Sequence, residues 1–146
     1  MRRAAIFDVD GTLCDVSSVR HHVRGRKKDF NAFHSDALAC PPHVEVADAA
    51  RRARAEGLAV LVVTARKERW RHPTGFWLAL HDIPSDELYM RGDKDGRRDV
   101  EVKRDILQRI RRRYEVVEAW DDNPAIIALW ESRGIPVRVV EGWEPD

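Results

Sequence analysis

Two aspartates with one residue between them, Asp8 and Asp10, close a short apolar run and are followed by Gly11 and Thr12. At this spacing both carboxylates lie on the same side of an extended chain. Carboxylates so placed can serve a bound metal ion or move protons. A second acidic pair, Asp121-Asp122, follows another apolar run, and between the two pairs lie Thr64, just after a third run, and Lys103. Carboxylates gathered in one crevice raise one another's pKa unless a cation compensates. All-oxygen ligation suits a hard divalent ion, so Mg²⁺ is the expected cofactor, with Asp8, Asp10, Asp121 and Asp122 as the candidate metal residues. Arg66 and Arg91 also fall at strand exits, where a guanidinium can fork onto phosphate oxygens.

Each of these residues also has a plainer reading. Asp8 and Asp10 could form an Asx-turn with Gly11, and any of Asp121, Asp122 and Asn123 could cap the helix that Pro124 starts. Thr64 could merely end a strand, and Lys103 could be a solvated helix residue. Asp99 stands four residues before Lys103, so it either steers that lysine or caps its helix. Convergence of both acidic pairs favours the chemical reading over capping.

The elements that must position these residues alternate regularly. Ala4–Phe7, Leu58–Val63, Glu87–Met90, Val116–Trp120 and Pro136–Val140 read as strands. Between them, Pro42–Glu56, Pro73–His81, Asp99–Arg113 and Pro124–Glu131 read as helices, with Gly57 and Gly134 as stop signals. On the third of these, Val102, Ile106 and Ile110 form the core stripe, with Lys103 beside it. Alternation predicts an α/β fold: a Rossmann-like open parallel sheet of about five strands, helices on both faces and no large cap domain. Ligands in such sheets sit beyond the carboxyl ends of the strands, where the candidate residues fall.

At 146 residues with 43% hydrophobic content, the chain fits one domain over residues 1–146. The longest apolar run, Leu58–Val63, is far short of the ~20 residues of a membrane span, and no secretory pattern is visible, so a cytoplasmic protein with no membrane association is expected. Two cysteines without CxxC spacing suggest neither a disulfide framework nor a zinc site. A net charge of +1 hides a basic run, Arg20-His21-His22-Val23-Arg24-Gly25-Arg26-Lys27-Lys28, beside the first motif, which is either a solvated loop or a track for a polynucleotide backbone. Asp93-Lys94-Asp95-Gly96 fails the calcium-loop template. Trp70, Phe76 and Trp77 could stack on bases, but more often such residues pack a helix onto a sheet.

The string Phe7-Asp8-Val9-Asp10-Gly11-Thr12-Leu13, with Thr64, Lys103 and Asp121-Asp122, resembles the haloacid dehalogenase-like superfamily of phosphotransferases. The segments Val63-Thr64-Ala65-Arg66, Arg91 followed by Asp99–Lys103, and Trp120-Asp121-Asp122 are similar to the 3′-phosphatase domain of bacteriophage polynucleotide kinase. This resemblance implies an Mg²⁺-dependent phosphatase acting on 3′ ends of DNA or RNA, with Asp8 as nucleophile and Asp10 as general acid and base. It implies phosphate contacts from Thr64 and Lys103 and substrate contacts from Arg66, Arg91, Asp99 and one of Arg20, Arg24 and Arg26. The metal would be held by Asp8, by the Asp10 main-chain carbonyl and directly by Asp122, with Asp121 acting through water or from behind the direct ligands. No GxxxxGK[ST] phosphate loop occurs, so 5′ phosphorylation is not expected, and a separate kinase or ligase is the implied partner. A small-molecule phosphatase and a noncatalytic nucleic-acid-binding module are the alternatives; retention of the acidic and basic set argues against the latter.

Overall fold

A computed structural model of the chain describes residues 1–19, 21, 29, 32 and 37–143. Five strands, β1 (Arg2–Phe7), β2 (Ala59–Lys67), β3 (Glu87–Arg91), β4 (Tyr114–Asp121) and β5 (Val137–Val139), form one parallel sheet in the order β3-β2-β1-β4-β5. The helices α1 (Val44–Ala55), α2 (Arg71–Leu80), α3 (Asp99–Ile110) and α4 (Pro124–Ser132) connect them. Among the described residues, no helix is long and apolar enough to cross a membrane.

The central strands are apolar throughout because both their faces are covered. Ala5, Phe7, Val60 and Val62 pack with Val46, Ala50, Trp77 and Leu78 of α1 and α2. Ala4, Ile6, Leu61 and Val63 pack on the other face with Val102, Ile106, Ile126 and Trp130 of α3 and α4. The expected Rossmann-like architecture is therefore present, with two of the described helices on each face.

Boundaries move where pairing or capping overrides the apolar pattern. β2 runs four residues beyond Val63, because its polar end pairs with β3 at Lys67 and Arg91. α2 begins at Arg71, after a 3-10 turn over Glu68–Trp70, which places Pro73 in the first turn, where its missing N–H costs nothing. β4 carries one extra residue opposite β1: Ala4 pairs with Val116 and Ala5 with Glu118, leaving Val117 as a bulge. Trp77 is buried and its indole donates to the Cys40 carbonyl at 3.0 Å, so it packs α2, whereas Phe76 is exposed.

Candidate active site

The first motif is a tight turn hung on the central strand. Asp8 continues the pairing of β1, its N–H donating to the Trp120 carbonyl at 3.1 Å. Gly11 adopts φ 82°, a left-handed conformation that glycine takes without a Cβ clash, and the chain folds back so that Leu13 N–H reaches the Asp8 carbonyl. Thr12 is thereby fully buried, with Oγ1 at 3.1 Å from Asp8 Oδ2 and 3.4 Å from Asp122 Oδ1. Its one hydroxyl proton serves one carboxylate at a time. Main-chain contact between Leu13 and His43, and the His43 ring nitrogen Nδ1 at 2.9 Å from the Thr12 carbonyl, fasten this turn to the start of α1.

Lys103 closes the site from the α3 face. Asp8 follows Ala4 and Ile6 in the alternation of β1, and Lys103 meets it at 2.9 Å while also donating to Asp121 Oδ2 at 3.1 Å. All three side chains are buried. Burial works to discharge the lysine, but Asp121 and Asp8 outweigh it and hold its pKa above the ordinary value. The solvated-lysine reading is excluded. Asn123, not either aspartate, caps α4: its side chain accepts from Ala125 N–H at 3.0 Å, ahead of Pro124 at the first helical position. That leaves Asp121 and Asp122 for the site.

Asp8, Asp121 and Asp122 each offer a carboxylate oxygen within 4.8 Å of the others. Burial first, then Asp121 and Asp122, push the Asp8 pKa well above 3.8, against the lowering pull of Lys103. Three buried carboxylates facing one lysine leave negative charge uncompensated, and the all-oxygen set fits a hard divalent ion. The Asp10 carboxylate is not in this group.

Asp10 is instead gripped by Arg66. Nε and Nη2 of the guanidinium reach the two carboxylate oxygens at 2.9 and 2.6 Å, while Nη1 donates to Thr74 Oγ1 at 3.0 Å. Arg66 and Thr74 are buried, and Thr64 Oγ1 accepts from the Arg66 N–H at 3.1 Å. Thr64 thus shapes the end of β2 beside Asp8 and Asp10. Thr74→Val removes the acceptor while keeping the shape, so a buried donor loses its partner at a cost of about 1–3 kcal/mol. Urea unfolding is expected to register this loss, and Thr74→Ser to restore most of it.

Arg91 is likewise an internal brace. Its Nε donates to the Ala65 carbonyl and its Nη1 to the Asp95 carbonyl, each at 3.0 Å; Nη1 also reaches the Arg97 carbonyl, and Nη2 reaches Asp99 Oδ1 at 2.5 Å. The expectation of open phosphate forks at Arg66 and Arg91 is corrected on this point: both guanidinium groups are committed within the protein. Two further corrections concern Asp99, which lies in the first turn of α3 behind the N-cap Arg98 and pairs with Arg91 rather than steering Lys103. Arg20, Arg24 and Arg26, and most of the basic run, lie outside the described residues. Sequence reasoning missed Thr12 and Thr74 as site residues. Thr12 stood within the quoted motif, whereas Thr74 had no local signal, being brought to Arg66 only by the packing of α2.

A profile of the polynucleotide kinase PNKP phosphatase domain matches residues 2–142. The chain belongs to this family. Membership makes this PNKP phosphatase domain a phosphoric monoester hydrolase, and its buried acidic cluster accords with the divalent-ion use general among haloacid dehalogenase-type phosphatases. A candidate bifunctional polynucleotide kinase/RNA ligase of Autographa californica nuclear polyhedrosis virus is 24% identical over 136 residues, which cover 92% of this chain and 18% of that protein. A chain in the structure of the Pnkp1/Rnl/Hen1 RNA repair complex superposes with a TM-score of 0.82 and 29% identity, over 96% of this chain and 42% of its own. A class C acid phosphatase from Bacillus anthracis with tungstate bound shares the fold, with a TM-score of 0.64 and 14% identity over 83% of this chain and 52% of its own. The PNKP phosphatase domain thus spans less than half the length of its repair relatives.

Proposed function

We propose that this domain removes phosphate from the 3′ ends of polynucleotides, DNA or RNA, through an aspartyl-phosphate intermediate. The observation that carries the reading is the buried Asp8 held by Lys103 and Thr12 at the carboxyl end of the central strand of a PNKP phosphatase domain. An Asp8 carboxylate oxygen bonds to phosphorus as the bond to the 3′ oxygen breaks, and Asp10, carrying a proton once one of its oxygens leaves the Arg66 fork, gives that proton to the leaving alkoxide. Asp10 then takes a proton from water, whose oxygen attacks phosphorus, releasing inorganic phosphate and restoring the Asp8 carboxylate. Lys103 and the Thr64 hydroxyl stabilise the charge spread over the transferring oxygens. Arg66 acts by holding Asp10 in place, and Arg91 with Asp99 by holding the rim of the site; Arg20 is our candidate for direct contact with substrate. A divalent ion, Mg²⁺ in this reading, would be held by Asp8, Asp121, Asp122 and the Asp10 main-chain carbonyl, and would supply further positive charge to the phosphate. The relatives' names support a setting in nucleic-acid repair, with kinase and ligase activities supplied by other domains or proteins.

The test is phosphate release in Mg²⁺ from a 3′-phosphorylated oligonucleotide, a 5′-phosphorylated one and a 3′-mononucleotide. Preference for the first is expected. Equal turnover of oligonucleotide and mononucleotide would replace the polynucleotide reading with that of a small-molecule phosphatase.

A further inference from the structure

The loop after β3, residues 92–98, runs along the carboxyl edge of the sheet between the strand that ends in Arg91 and the helix that supplies Lys103. It contains the Asp93–Gly96 segment that matched no metal-binding pattern. An exposed, polar seven-residue connection usually has little to hold it. Here the buried Arg91 guanidinium ties it down from beneath, through the carbonyls of Asp95 and Arg97, while Asp99 and Ala65 anchor the same side chain to α3 and β2.

That brace fixes what the loop presents outward. The acidic groups of the loop are occupied: Asp93 accepts from the Arg69 N–H at 2.8 Å, and Asp95 is forked by Arg97 at 3.0 and 2.9 Å. Two cations remain for solvent. Among the described residues, Lys94, which is exposed, has no ion-pair partner, and Arg98, whose side chain is 84% exposed, has only a 3.8 Å contact with Glu101. Lys67, on the neighbouring strand and in register with Arg91, adds a third cation on the same edge, also without an ion pair among the described residues. β3 lies two strands from β1, a separation of roughly 10 Å at the spacing of paired strands. A chain whose terminal phosphate meets Asp8 can therefore reach this edge within a few nucleotides.

We propose that Lys94 and Arg98 on this braced loop, with Lys67 beside it, carry the phosphodiester backbone just upstream of the terminal phosphate, which makes a polynucleotide a better substrate than a mononucleotide. This rests on the 3′-end reading of the site. Cations of this kind contribute through counterion release and leave a salt signature of about 0.7 in log–log slope per single-strand phosphate contact.

The experiment compares the parent protein with Lys94→Ala/Arg98→Ala and with the charge-reversed Lys94→Glu/Arg98→Glu. kcat/KM is measured on a 3′-phosphorylated ten-nucleotide strand and on a 3′-mononucleotide over a range of salt. The ratio of the two values is expected to fall about tenfold in the alanine pair and further in the glutamate pair, with a shallower salt dependence on the strand. A ratio and slope equal to the parent's in both variants would overturn the role of the loop alone. A parent inactive on the strand but active on the mononucleotide would overturn the 3′-end reading and the loop's role together.

Discussion

Lys103→Met is expected to destabilise the metal-free protein by about 3–5 kcal/mol, the cost of leaving a buried charge without its partner. Among the described residues, the lysine is the cation paired with both Asp8 and Asp121, and both bonds lie inside the fold. Its removal leaves Asp8, Asp121 and Asp122 facing one another with at most 7% of each residue exposed. Because the Lys103 pKa is held above its ordinary 10.5, this contribution is present at neutral pH, wherever the carboxylates are ionised, and on the alkaline side is lost as pH rises through the folded-state value. Urea titration at neutral pH checks the size, and a loss under 1 kcal/mol would mean that the carboxylates are not held by this charge. Added Mg²⁺ should return part of the stability, since an ion bound by the folded state alone stabilises it by mass action. Activity should not return with it, because the positive charge on the transferring phosphate is still missing.

Asp8→Asn separates chemistry from stability in the opposite sense. Phosphate release should fall about 10⁴-fold or more, as when a covalent nucleophile is removed. Stability in metal-free buffer should hold or rise. The folded-state pKa of Asp8 lies above 3.8, so the native state binds its proton more tightly than the unfolded chain does. The sign follows: as pH rises past 3.8, ionising Asp8 costs the fold stability until the folded-state value is passed. The parent should lose stability over that window, and Asp8→Asn should lack that component. Melting temperatures at pH 4 and pH 7 test the difference, and phosphate release tests the nucleophile; activity close to the parent's would end the covalent scheme.

The strands and helices were legible because their apolar runs have the lengths and stop signals of buried parallel strands and amphipathic helices. Asp8, Thr64, Lys103 and the Asp121-Asp122 pair were legible because each stands where a strand ends or beside a helix stripe. Partner choice was not. Spacing placed Asp99 under Lys103, but Arg91 outbids the lysine for it because a guanidinium has enough donors to bind three carbonyls and a carboxylate at once. Arg66 looked like a phosphate fork for the same geometric reason that lets it clasp Asp10, and nothing local distinguishes one anion from the other. Val117 as a bulge and Thr74 as a brace depend on neighbours distant in the chain, beyond the reach of periodicity.

Asp8 precedes its partners in the chain, which arrive from α3 and from the end of β4. Synthesis runs from the amino end, and chains acquire structure as they leave the ribosome. A growing polypeptide therefore carries residue 8 long before residues 103, 121 and 122 exist to surround it. Under the proposed scheme, hydrolytic competence cannot arise before residue 122 has been made, so a product cut short of that residue lacks the second acidic pair.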